Sequence, residues 1–289
     1  MNEEISLAPG GRHSGFYQRH KYKLPAVPYV VWMAIFVVVP IILIVIYAFT
    51  NAQGEVTLQN FANMGEYTRV FTRSMYLALV ATLICLVIGY PVAYVLSKMG
   101  PTMQRVCMLV IMLPMWINFL LRTYAWMSLL ENTGLINRLL GLLGLPGISI
   151  INTQGAVILG MVYNYLPFMI LPIYSVIVKI DKSLVEASQD LGANAAQVFM
   201  RVIFPLSLGG VVSGVTMVFV PSVSTFIISK LLGGGMNMLL GDLIEMQFLG
   251  SAYNPHLGSS ISLIMMVIVM ICMSIMNKFG EGEEQAVLL

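Results

Sequence analysis

The chain has 289 residues, 58% of them hydrophobic and 10% charged, against roughly a quarter charged in an ordinary soluble domain. So few charges cannot cover a soluble surface, and a formal net charge of +2 without an arginine-rich or aromatic-interleaved basic stripe excludes a nucleic-acid partner. A membrane-embedded chain remains, and its 22 methionines and 25 glycines suit close helix packing in lipid.

Residues 1–26 form a basic N-terminal segment carrying Arg12, Arg19, Lys21 and Lys23. A spanning helix needs roughly 20 apolar residues at about 1.5 Å each, and the first such run covers 27–49. It is longer than the h-region of a signal peptide, and Asn51-Ala52-Gln53-Gly54 offers no small-residue cleavage site, so it reads as a retained anchor. Further spans are expected over 76–96, 106–130, 155–177, 206–228 and 260–276. They make one all-α transmembrane domain over 27–277, followed by a tail over 278–289. The loops 50–75, 131–154 and 229–259 are long enough to hold short helices and to receive a partner.

Cytoplasmic loops retain positive charge, which sets the orientation. With the N-terminus inside, the inner segments hold ten of the 15 Lys and Arg residues, among them Lys98, Arg105, Lys179, Lys182, Arg201 and Lys278. Both termini are therefore expected in the cytoplasm, with lipid around the spans.

Between the fourth and fifth spans, residues 181–205 read as helix, turn and helix. Ser183 with Glu186 three residues on has the form of a capping box, and Gly192 can take the left-handed conformation that ends a helix. Asn194 can cap a second helix whose Ala195, Val198, Phe199 and Val202 share a face until Pro205 limits it. Such an amphipathic pair rests on lipid, on its own bundle or in another protein's groove, and periodicity does not choose among these.

The spacing of this loop resembles the EAA motif of ABC importer permeases, written E-A-A, three residues, G, nine residues, I, one residue, L-P. Glu186, Ala187, Gly192 and Pro205 match it, whereas Ser188, Val202 and Phe204 stand in for alanine, isoleucine and leucine. The resemblance implies a type I importer permease fold of six spans. It further implies that Ser183, Glu186, Ala187, Ser188, Asp190, Leu191, Gly192, Phe199 and Pro205 form the loop that receives ATP-driven motion. No phosphate-binding G-x-x-x-x-G-K-[ST] occurs, and Gly233-Gly234-Gly235 is followed by Met236-Asn237. ATP and magnesium are thus expected on a separate ATPase, with no catalytic residue in this chain.

Gly89-Tyr90-Pro91, Leu113-Pro114-Met115-Trp116-Ile117-Asn118 and Tyr163-Asn164-Tyr165-Leu166-Pro167-Phe168 resemble the PotB-type spermidine/putrescine permeases of the bacterial inner membrane. That resemblance implies a polyamine cargo, a second related permease, two copies of an ABC ATPase and an extracytoplasmic solute-binding protein. Polyamines call for aromatic faces and carboxylates. Trp116, Asn118, Tyr163, Asn164 and Tyr165 lie near Pro114 and Pro167, which free backbone carbonyls in mid-membrane, so they either line the path or pack the bundle.

No span holds Asp or Glu in its interior, which disfavours a gradient-driven secondary transporter. Arg122 is expected to snorkel outward or pair with Glu131. Asp242 and Glu245 share one face if 239–248 is helical, forming an acidic outer mouth or a solvated contact face. Cys85, Cys107 and Cys272 show no CxxC spacing, and His13, His20 and His256 form no ligand pair, so no metal site is expected.

Overall fold

The computed structural model describes residues 27–250 and 252–284. The expectations for residues 1–26, including Arg12, His13, Arg19, His20, Lys21 and Lys23, and for the last five residues of the tail lie outside the described residues. Described residues form α1 (Val27–Ala48), helical turns at Gln59–Ala62 and Asn63–Tyr67, α2 (Thr68–Lys98), α3 (Pro101–Met112), α4 (Phe119–Leu130) and α5 (Leu135–Leu142). After these come α6 (Gln154–Lys179), α7 (Lys182–Asp190), α8 (Ala195–Ser224), α9 (Ile227–Leu232), α10 (Leu240–Leu249) and α11 (Pro255–Glu284). Among them β structure is limited to one isolated antiparallel bridge, Thr50 to Val56.

Five segments are long and apolar enough to cross a membrane: α1, the run Gln59–Lys98, α6, α8 and Pro255–Met276 of α11. The expected third span is not one helix. It is a pair, Pro101–Trp116 and Phe119–Leu142, bent by 89°. Leu113–Trp116 tightens into a 3-10 turn, Ile117 turns extended at φ −79° and ψ 141°, and the Asn118 side chain accepts from Leu120 N–H to start α4. The fifth span also ends earlier than expected, at Ser224, because Thr225 is extended at ψ 141° and α9 starts in a new direction. The loops 50–75, 131–154 and 229–259 do carry short helices, α5 and α10 among them.

Pro205 does not end the second helix of the 181–205 loop, contrary to the expectation. A wide π turn over Phe199–Ile203 precedes it, with Phe204 N–H donating to Phe199 C=O, and the helix continues to Ser224. In α1 the same turn spans Ala34–Val38, ahead of Pro40, with Val39 N–H donating to Ala34 C=O. Proline lacks an N–H and its ring crowds the carbonyl four residues back, and one widened turn accommodates both defects without breaking the helix. Pro167 and Pro172 likewise sit inside a continuous α6, so no break follows Tyr165.

The core is formed by α2, α6 and α8 around Leu77, Ala81, Cys85, Met161, Met169 and Ile173. Lipid supplies no hydrophobic drive between helices, so their association depends on close van der Waals approach and small residues. A Cβ on Gly214 would fall 2.8 Å from Met169 Sδ, and one on Gly210 would fall 2.9 Å from Pro172 O and 3.0 Å from Ile173 Cα. A buried hydrogen bond of 2.7 Å between the Tyr90 and Ser207 hydroxyls ties α2 to α8. By contrast α1 is exposed along most of its length and meets α11 near its end, where Ser260 Oγ donates to Ala48 O at 3.1 Å.

Gly210→Leu should therefore force α6 and α8 apart, at about 1–3 kcal/mol for overpacking, and lower the detergent-solubilised melting temperature. Gly209→Leu meets nothing within 4 Å and should leave that temperature unchanged. Equal melting of the two variants would contradict this account of the core.

Candidate functional site

The segment between α6 and α8 is an ordered hairpin built from local hydrogen bonds. Asp181, extended at φ −63° and ψ 127°, caps α7 by accepting Ser183 N–H at 2.9 Å. That bond holds the Asp181 carboxyl below the usual carboxylate range. The expected Ser183–Glu186 capping box does not form. The helix starts at Lys182, so Ser183 lies inside the first turn, and Asp181 occupies the position from which a side chain reaches the orphan amides.

At the other end, Gly192 takes φ +81°. Gly192 N–H donates to Gln189 O at 2.8 Å and Ala193 N–H to Ser188 O at 3.1 Å, the paired bonds of a Schellman ending. The Ser188 hydroxyl turns back on Val185 O at 2.7 Å. A capping box does occur, at the start of the second helix instead of the first: Asn194 N–H donates to Gln197 Oε1 and Gln197 N–H to Asn194 Oδ1, both at 2.9 Å. Asn194-x-x-Gln197 is the sequence signal for it.

The hairpin divides its residues between two tasks. Val198 is buried, and Phe199 packs edge-on against Tyr90 and Tyr94 with ring centroids 5.8 and 5.2 Å apart, so Phe199 roots the hairpin on α2. Pro205 stays within α8, half-buried. Leu184, Ala187 and Leu191 form an exposed apolar stripe on α7, and Leu191 at the tip is 89% exposed. Glu186 lies on a different face, beside Lys182 and Gln189. Asp190 is exposed near the tip.

The five expected path residues are not brought together. Trp116 stands 75% exposed at the elbow between α3 and α4, and Asn118 is used as the cap of α4. Tyr163, Asn164 and Tyr165 are consecutive on α6 and therefore point about 100° apart. Tyr163 packs on Trp126 at 5.2 Å, and Tyr165 is buried, its hydroxyl aimed at Pro221 O on α8 at 3.5 Å. Asn164 is buried and donates to Gly160 O at 2.9 Å, while its Oδ1 has no partner among the described residues.

Neither charged expectation holds as stated. Arg122 leaves Nε and Nη1 without partners, and its guanidinium lies over the Phe119 ring at 5.9 Å. It does not reach Glu131, because helical side chains lean toward the N-terminus and Glu131 follows the C-terminal end of α4. Asp242 is buried, accepts Leu239 N–H at 2.8 Å, and has its carboxyl pushed up by burial. Glu245 instead binds Lys230 Nζ through both oxygens at 2.9 and 3.1 Å. Asp242 and Glu245 thus build no open acidic mouth. Among the described residues no cluster of His, Cys, Asp and Glu is placed to hold a metal.

Residues 85–280 match the family described as binding-protein-dependent transport system inner membrane component. The chain is 39% identical over 249 residues to the spermidine/putrescine transport system permease protein PotB of Haemophilus influenzae, covering 82% of this chain and 86% of that protein. It is 36% identical over 248 residues to PotB of Escherichia coli, covering 82% and 90%. Among solved structures it resembles a chain of a bacterial ABC transporter that imports the acidic polysaccharide alginate, with TM-score 0.79, 16% identity and coverage of 92% and 98%. A chain of the inward-facing MetNI methionine ABC transporter aligns with TM-score 0.58, 18% identity and coverage of 75% and 95%. These likenesses establish the importer permease fold.

Asn194→Ala removes the side-chain half of the hairpin's capping box and should cost about 1 kcal/mol locally, which speeds amide exchange at Gln197 by about fivefold. Unchanged exchange would mean that the box does not order the hairpin.

Proposed function

Because the chain belongs to the binding-protein-dependent transport system inner membrane component family, we propose that it is the polyamine-translocating permease of an ATP-driven importer, coupled to its ATPase through α7. The cargo reading rests on the PotB relatives of Haemophilus influenzae and Escherichia coli, 39% and 36% identical over 82% of this chain. The coupling reading rests on one observation: a hairpin ordered by two caps and a Schellman ending carries Leu191, 89% exposed, at its tip. An exposed apolar tip on a rigid scaffold is suited to a groove on another protein.

In this reading two ATPase copies bind ATP and magnesium, and a second permease completes the path. An extracytoplasmic solute-binding protein delivers the polyamine, and both termini of this chain face the cytoplasm. Closure of the ATPases moves α7, and α8, continuous with the hairpin, carries the motion across the membrane as a rigid body. Ligand and nucleotide shift the balance between inward-open and outward-open forms through contacts that differ in the two states. No bond is made or broken in this chain. At the elbow Trp116, and further along α4 Tyr124, expose aromatic faces that can hold an ammonium group. Tyr163, Asn164 and Tyr165 support the wall from within the bundle.

Gly192→Val places a β-branched residue at φ +81° and should lower polyamine-stimulated ATP hydrolysis about tenfold while leaving membrane insertion intact. Normal stimulated hydrolysis would refute the coupling role. Trp116→Ala should reduce spermidine uptake several-fold with ATPase co-purification unchanged; full uptake in that variant removes Trp116 from the path. Uptake that persists after ATP depletion, with ion gradients maintained, would favour a secondary transporter.

A further inference from the structure

Behind α7 lies a cavity of about 580 Å³ that shares only Glu186 with the residues of the expected coupling loop. Its volume falls within the roughly 300–1,000 Å³ of small-molecule sites. Lys98, at the end of α2, and Lys182, Glu186 and Gln189, on one face of α7, all line it. Gln104 fixes one wall: its Nε2 donates to Ser97 O at 3.2 Å and Met99 O at 2.9 Å, and Tyr174 donates to its Oε1 at 3.1 Å. Lys98 rests over the Tyr94 ring at 5.4 Å. Lys182 and Glu186 are four apart on one helix, yet the ion pair found among the described residues is Lys230–Glu245. Two cations and one carboxylate therefore face a single preformed space without neutralising one another.

A second concavity of about 460 Å³ adjoins it, a groove between α2 and α3 lined by Val92, Val95, Met99, Val106 and Val110. Nothing charged lines this groove, and Met99 borders both spaces. A charged chamber opening onto an apolar channel at the end of a spanning helix has the polarity pattern of an amphiphile.

We propose that the two spaces together hold one phospholipid with an amine-bearing headgroup, of the phosphatidylethanolamine class, drawn from the leaflet at the α7 side. Its phosphate lies between Lys98 and Lys182, its ammonium faces Glu186, and an acyl chain fills the groove beside Met99. Glu186 explains the choice of an amine-bearing headgroup over phosphatidylglycerol, whose only charge is its phosphate and whose neutral glycerol would leave the Glu186 carboxylate without a cation. The lipid thereby bridges α2, α3 and α7 and stiffens the hairpin from behind. Only the choice of leaflet rests on the cytoplasmic placement of α7.

The test uses the assembled complex, stripped of lipid in detergent and titrated with dioleoyl phosphatidylethanolamine or dioleoyl phosphatidylglycerol, with bound lipid counted by native mass spectrometry. The expected result is one tightly held phosphatidylethanolamine per copy of this chain. Its affinity should fall at least tenfold in Lys98→Glu and in Lys182→Glu, and similarly in Val95→Trp, which fills the groove but keeps both lysines. Glu186→Gln should abolish the preference for phosphatidylethanolamine over phosphatidylglycerol. Should the charge reversals fail to assemble, Lys98→Gln and Lys182→Gln are read in their place, with a fall of several-fold expected. Undiminished lipid binding in the lysine variants overturns the proposal. So does displacement of the lipid by millimolar inorganic phosphate with Val95→Trp silent, which would mark a free-anion site. ATPase co-purification is scored separately, so failure of the coupling reading is distinguishable from failure of this one.

Discussion

Everything at the two ends of this molecule depends on how closely α2, α6 and α8 approach in a solvent that gives apolar helices no reason to associate. Gly89, Gly210 and Gly214 bring backbone and side chains of neighbouring helices to distances at which a methyl group would collide with Met169, Pro172 or Ile173. The Tyr90–Ser207 hydrogen bond fixes the rotation of α2 against α8 at the same level. Because dispersion falls off steeply with distance, this contact either forms fully or contributes little. The bundle is consequently a stiff unit.

That stiffness connects the hairpin to the membrane interior. α8 is one helix of 30 residues, so it spans roughly 45 Å from the hairpin to the far side. It survives Pro205 through a single π turn, and Phe199 in that turn is held against Tyr90 and Tyr94 at the end of α2. Displacing α7 therefore pulls on both helices of the core instead of unwinding a linker. The break at Thr225, by contrast, lies at the opposite end, where α8 stops and α9 redirects the chain toward Gly160 of α6. In the proposed coupling, a push on α7 would be carried along this continuous helix as far as the break.

Much of this was readable from residue types. Five of the six expected spans, the short helices in the long loops, the left-handed Gly192 and the Asn194 cap follow from hydropathy, length and turn chemistry acting locally. Prolines were less legible, because one residue type has three outcomes: a break after Pro114, a widened turn before Pro205 and an uninterrupted helix at Pro167. What separates them is the neighbourhood, such as the Asn118 cap that stabilises a new start. Ser183 and Asp181 both qualify as caps, and only the first helical residue decides between them. The surroundings of Arg122, Asp242 and Glu245 are not legible in the sequence because charge partners follow from tertiary placement: α9 brings Lys230 to Glu245, and packing buries Asp242. The exposure of Leu191 and the burial of Tyr165 likewise require the fold.

The central claim is that the tip of the α7 hairpin is received by an ATPase. Its most direct test places a photo-crosslinking amino acid at Leu191, with the similarly exposed Leu249 at the end of α10 as the control, in membranes holding the complete transporter. Position 191 should crosslink to the ATPase subunit, with a yield that changes when ATP is bound, while position 249 yields no ATPase adduct. Crosslinking of position 191 to lipid or to another permease alone, in a transporter that still imports polyamine, would contradict the account.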